Sequence, residues 1–204
     1  MLRSVKVLML VGSVGIGLLA ANAPARADII PTLNALPSAV PGGFLWEYDA
    51  QLTQQQFLKA GDFFTIFDFN GYVPGSGTVP NVNWTFLSLN TGLLPAGLSG
   101  IVDSPSIPNL TWTYTGPNTS NGPTDLGLFT AKSIFGDLGT GMYGAMGHKW
   151  SKIGTFVLPD HGNPTMNKGP ITTPAPVVPE PCSMALLGLG AAPLLRLRRR
   201  NRKA

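Results

Sequence analysis

The chain has 204 residues, a formal net charge of +4 and a pI near 9.4, with only 12% charged residues against 25 glycines and 19 prolines. Its positive charge sits at the two ends: residues 28–178 hold five lysines (Lys59, Lys132, Lys149, Lys152, Lys168) and nine acidic residues, a net −4, which excludes a nucleic-acid reading built on the basic pI. The single cysteine, Cys182, lies in the C-terminal tail, so the body has no disulfide and no thiol chemistry.

In chain order, Arg3 and Lys6 precede an uncharged stretch from Val7 to Ala21, and Ala25-Arg26-Ala27 places small residues at the two positions that a signal peptidase reads. Residues 1–27 therefore read as a signal peptide, with Ala25 and Ala27 as its cleavage determinants and Asp28 as the mature N-terminus.

Residues 28–161 suit one domain with a sizeable core. Apolar and β-branched runs bounded by Gly, Pro and Asn predict strands over Phe44–Leu52, Asp62–Phe69, Asn83–Leu89, Leu110–Thr115, Gly127–Ile134 and Lys152–Leu158. The even spacing and dense turn signals predict an all-β fold, a single β-sandwich or jelly-roll-like domain. Thr53–Ala60 predicts one or two helical turns capped by Gly61, with a weaker helical signal around Leu138. Within Asp62–Phe69, Phe63, Ile66 or Phe67, and Phe69 need two faces to bury on, which fits a central strand, and Asn70-Gly71 signals a tight turn.

From residue 162 to 178, Pro164, Pro170, Pro174 and Pro176 alternate with small and polar residues, which predicts an extended spacer. Residues 179–204 form a tail of three parts: the stiff Pro179-Glu180-Pro181, an uncharged run from Cys182 to Leu195, and a basic cluster containing Arg196, Arg198, Arg199, Arg200, Arg202 and Lys203. The apolar run is shorter than the ~20 residues of a usual spanning helix. Snorkelling arginines lengthen its usable span and hold this end in the cytoplasm. In order and position the tail resembles the PEP-CTERM sorting signal, and the run from Gly61 to Gly71 is similar to an aromatic strand of other exported proteins of that class. The resemblance implies a bacterial protein exported by a cell that makes exopolysaccharide, transiently membrane-anchored, and recognised by the membrane protease exosortase through Pro179, Glu180 and Pro181 with Arg196, Arg198, Arg199 and Arg200. A plain C-terminal anchor is the alternative, and whether the anchor is cleaved stays open.

Signals for chemistry are sparse. His148 and His161 have no neighbouring ligand set, there is no nucleophile elbow or phosphate-binding glycine loop, and the expectation is no catalytic site, no metal and no cofactor. Asp62 and Asp68 read as solvated strand-end residues, with calcium ligation as the sharper alternative. Glu47 and Asp49 share one face of a strand, the pattern that a pair of glycosidase carboxylates would use. Tyr143 and Trp150, set among glycines, are the aromatics expected at the surface and the candidates for sugar contact. The reading is a structural or adhesive protein of the cell surface or extracellular matrix, associated with polysaccharide; the alternative is a surface enzyme acting on polysaccharide.

Overall fold

The computed structural model describes residues 29–119, 122–153 and 156–176, with the side chains of 151–163 outside that description. The signal peptide, the sorting motif and the basic cluster (Ala25, Ala27, Pro179, Glu180, Pro181, Arg196, Arg198, Arg199, Arg200) lie outside the described residues. The described chain is all-β, without a helix, and forms two antiparallel sheets.

The first sheet is built on β3 (Gly43–Leu52). One edge of β3 pairs with β1 (Ile29–Leu33) and then β2 (Ser38–Val40), and the other pairs with β8 (Thr124–Ser133). Trp46, Tyr48, Ala50 and Leu52 are buried while the residues between them are not, the two-residue period of a strand with one face on the core. In the second sheet β9 (Asp137–Ile153) lies between β10 (Phe156–Ala175) and a line made by β4 (Gln56–Phe57) and β5 (Phe63–Ile66), beyond which come β7 (Asn109–Tyr114) and the edge strand β6 (Trp84–Leu89).

Between the sheets the core is aromatic and sandwich-like. Phe64 stacks on Trp112 with centroids 5.1 Å apart and meets Phe129 of the opposite sheet edge-on at 4.9 Å; Trp84 also meets Phe129 at 4.9 Å. The polar atoms of these large groups are satisfied where they are buried: Trp46 Nε1 donates to Phe135 O, Trp112 Nε1 to Thr78 O, and Tyr48 Oη to Thr172 O at 3.0 Å. Burial raises the Tyr48 hydroxyl above the usual phenol range.

β5 is buried on both faces, as its aromatic pattern requires. Its outer face is covered by residues 90–108. Thr65 donates to Leu93 O, and Gly92 lies so close to the Phe67 ring that a Cβ there would stand 2.4 Å from it. A polar knot pins this loop: Asn109 accepts from Asp68 N and donates to Asn90 O and Asp103 Oδ1, Asp103 Oδ2 accepts from Gly92 N, and Asp68 Oδ1 accepts from Ser104 N. Asp68 adopts a positive φ of 53°, which ends β5 before Phe67 and stops the strand short of the expected Phe69.

Three expectations are corrected. Residues 53–60 form no helix; Gln55 has a φ of 62°, and Gln56 and Phe57 pair with Lys149 and His148 because tertiary pairing overrides local helix preference. The predicted strand over Lys152–Leu158 is two strands, since Ile153 pairs with Phe156 across a hairpin. The spacer does not begin at 162. Residues 164–175 belong to β10, paired with β9 as far as Ala175 with Asp137, and Asn167, Ile171 and Thr173 are buried. β10 is an edge strand, and Pro164, Pro170 and Pro174 share one parity along it, so all three ring nitrogens turn to the side that needs no ladder donor.

Candidate functional site

The described chain gathers titratable side chains most closely where the turn before β5 meets β9. Asp62 heads β5 and is fully buried. Its Oδ2 accepts from Lys59 N at 2.8 Å, its own N–H donates to Lys59 O, and its carbonyl accepts from Tyr114 N, so one bond holds the carboxylate and two hold the residue's backbone. Asp62 Oδ1 stands 2.7 Å from His148 Nδ1, an ion-pair approach, and neither atom has a hydrogen-bond partner among the described residues. The His148 side chain is 12% exposed. Burial raises the Asp62 carboxyl above the usual carboxylate range, opposed by the Lys59 N–H and the His148 imidazole.

Around this pair the strand alternation sorts the neighbours. Phe57 pairs with His148 in register and shares its face; its ring lies 5.6 Å from the imidazole and 4.9 Å from the Trp150 indole. Gln56, one residue earlier, falls on the opposite face, fully buried, with Oε1 accepting from Thr165 Oγ1 at 2.8 Å. Gln56 Nε2 and Trp150 Nε1 are buried with no hydrogen-bond partner among the described residues.

An imidazole oriented by a buried carboxylate is half of a general-base device, which becomes hydrolytic only with a nucleophile or a held water at the other ring nitrogen. The Thr165 hydroxyl is turned to Gln56, on the other face of the sheet. What the pair does within the described structure is clamp the 59–62 turn to β9.

The two sugar-contact candidates are not brought together. Tyr143 is a correction to the expected exposure: it is 5% exposed, part of the core, with its hydroxyl accepting from Asn167 Nδ2 at 2.9 Å. The glycines beside it, Gly141 and Gly144, are strand residues rather than a loop, and Gly144 packs under Ile101, Leu98 and Phe67. Trp150 is half-buried on the other face. The solvated reading of Asp62 is also corrected, because Asp62 is fully buried against His148, while Asp68 is half-exposed beyond the end of β5 and accepts from Ser104 N. Among the described residues no three acidic, His or Cys groups gather as metal ligands.

Glu47 and Asp49 do share the outer face of β3, and Asp49 meets a third acid that the sequence does not reveal. Burial and the Asp125 carboxylate raise the Asp49 carboxyl above its ordinary range. Neither Glu47, Asp49 nor Asp125 lines the open clefts of about 410 and 490 Å³, which are formed around Asp68 and Asn70 and around Ile30 and Gln54. The fold and site define an all-β domain of two antiparallel sheets with a buried Asp–His clamp. Comparison of the chain with protein-family models, curated proteins and solved structures gives no match.

Proposed function

We propose that this chain is an exported bacterial surface or extracellular-matrix protein with a structural or adhesive role, sorted through its C-terminal tail. The observation that carries the reading is the order Pro179-Glu180-Pro181, apolar run, arginine cluster at the end of a chain that begins with a signal-peptide pattern. Exosortase and signal peptidase are its processing partners, the membrane its transient anchor with the C-terminus cytoplasmic, and exopolysaccharide its neighbour. The use of polar side chains supports a structural role: Asp62, Asp68, Asp103 and Asn109 hold turns and a loop in place. Trp150 remains the candidate for sugar contact, now as a half-buried ring beside Phe57.

With β10 reaching Ala175, only residues 176–178 separate the folded body from the sorting motif, about 10 Å when extended at ~3.1 Å per residue. The test is intact-mass and C-terminal peptide analysis of the protein recovered from the membranes and the medium of its host. A form beginning at Asp28 and ending near Pro181 supports sorting; a chain that always retains Arg196–Ala204 reduces the tail to a plain anchor.

One observation favours the second reading, a surface enzyme acting on polysaccharide: the Asp49 and Asp125 carboxyls interact on an exterior face. A polysaccharide-cleaving activity abolished by both Asp49→Asn and Asp125→Asn would establish it.

A further inference from the structure

Sheets end in edges, and an edge with free backbone groups is a template for another strand. Three of the edges here are guarded. β10 carries Pro164, Pro170, Pro174 and Lys168, and β1 carries Pro31 at its centre. Along β8, Ser133 bridges to Tyr72, Thr130 bridges to Thr78, and Lys132 O accepts from Val73 N.

β6 is different. Its sequence, Trp84-Thr85-Phe86-Leu87-Ser88-Leu89, holds no proline and no charge, and no described residue pairs with its outer side. Thr85, Leu87 and Leu89 form its exposed face, with Leu87 55% and Leu89 54% exposed. The following loop adds Leu93 and Leu94, 49% and 38% exposed.

We propose that β6 is the strand through which two copies of this chain pair, antiparallel and edge to edge, extending the second sheet across a two-fold axis. Charge selects a second copy as the occupant. The body carries a net −4, so two copies repel wherever their charged surfaces approach, but residues 69–102 contain no Asp, Glu, Lys or Arg at all. β6, residues 69–83 before it and residues 90–102 after it fall inside that neutral stretch, the longest uncharged run of the body, where like meets like without repulsion. An isologous contact requires a self-complementary patch, and β6 supplies one. With Leu87 opposite its own copy, Thr85 stands opposite Leu89, and the exposed faces join into a stripe of four leucines flanked by threonines, with a Leu87–Leu87 pair on the axis and a Thr85–Leu89 pair on each side of it.

The test uses the full chain carrying Cys182→Ser, in mild detergent, so that an introduced thiol is the only one. Leu87→Cys in that background is expected to oxidise to a disulfide-linked dimer at least tenfold faster than Val82→Cys or Leu36→Cys, whose side chains are 94% and 75% exposed but lie off the axis. Sedimentation velocity should show a monomer–dimer equilibrium for the Cys182→Ser chain, and Leu87→Lys should raise its dissociation constant at least tenfold. Near-UV circular dichroism checks that the variants keep the aromatic core, which Leu87 does not enter. Equal oxidation at the three positions would overturn the proposal. So would self-association unaffected by Leu87→Lys, which would locate the contact in the terminal segments. A chain that stays monomeric but captures a foreign extended apolar peptide through Leu87 would reassign the edge to another partner and overturn it equally.

Discussion

Replacing His148 by Leu strips a fully buried carboxylate of its one side-chain partner among the described residues. Asp62 would keep the Lys59 N–H on Oδ2, but Oδ1 would face hydrocarbon. Breaking a buried pair by removing one partner costs about 3–5 kcal/mol, a large share of the ~5–15 kcal/mol that holds an ordinary domain together. With the imidazole gone, the Asp62 carboxyl, already raised by burial, rises further. A carboxyl whose folded pKa lies above its unfolded value contributes stability that is complete below the unfolded value, near 3.9, and is lost as pH rises through the folded value. The deficit of His148→Leu should therefore be present at pH 7 and should shrink toward pH 4. Urea titrations of the wild type, His148→Leu, Asp62→Asn and the double variant at pH 4, 5.5 and 7 measure this. Asp62→Asn should destabilise the wild type yet stabilise the His148→Leu variant by about 1–2 kcal/mol at pH 7, because a neutral amide is cheaper to bury than an unpaired carboxylate. Equal deficits at pH 4 and pH 7, or Asp62→Asn with the same sign in both backgrounds, would refute the clamp.

Tyr48→Phe removes the hydrogen bond to Thr172 O and should cost about 1 kcal/mol at neutral pH. Because burial raises the Tyr48 hydroxyl, its contribution is complete below the unfolded phenol value near 10 and is lost as pH climbs above it, so the variant should unfold less steeply with alkali in a pH-jump titration. Asn109→Ala cuts the bonds to Asp68 N, Asn90 O and Asp103 Oδ1, and should cost about 3 kcal/mol with faster hydrogen exchange across residues 90–108; unchanged exchange there would show that the knot does not hold the loop. Gly43→Ala drives a Cβ to within 2.4 Å of Ser133 O at a φ of 144°, and should lower the melting temperature by several degrees through the β3–β8 pairing, as read by calorimetry.

β3, β6, β7 and β8 are legible because each carries its own alternation and is bounded by its own turn residues, as in Trp46, Tyr48, Ala50 and Leu52 on one face of β3. β9 is not. Gly139, Gly141, Gly144 and Gly147 imitate a loop, and their meaning appears only when Gly144 is seen beneath Ile101 and Leu98, and Gly141 against Thr173. β10 hides behind prolines, which report where a strand sits in a sheet as much as whether a strand exists. The Asp62–His148 clamp joins residues from opposite ends of the domain, and one sequence gives no signal for such a pairing beyond the glycine–aspartate at the head of an aromatic strand. The Asp49–Asp125 encounter is hidden for the same reason, since it depends on the register of β3 against β8.

The long β9–β10 hairpin also sets when this domain can fold. β9 is the strand on which β4, β5 and β10 all register, Tyr48 reaches across to Thr172, and Asn70 donates to Pro174 O. A chain threaded through a membrane pore with its N-terminus leading would have β1 to β8 on the far side with half of the second sheet missing its centre. Its second sheet is complete only after residue 175 emerges, because β10 pairs with β9 as far as Ala175.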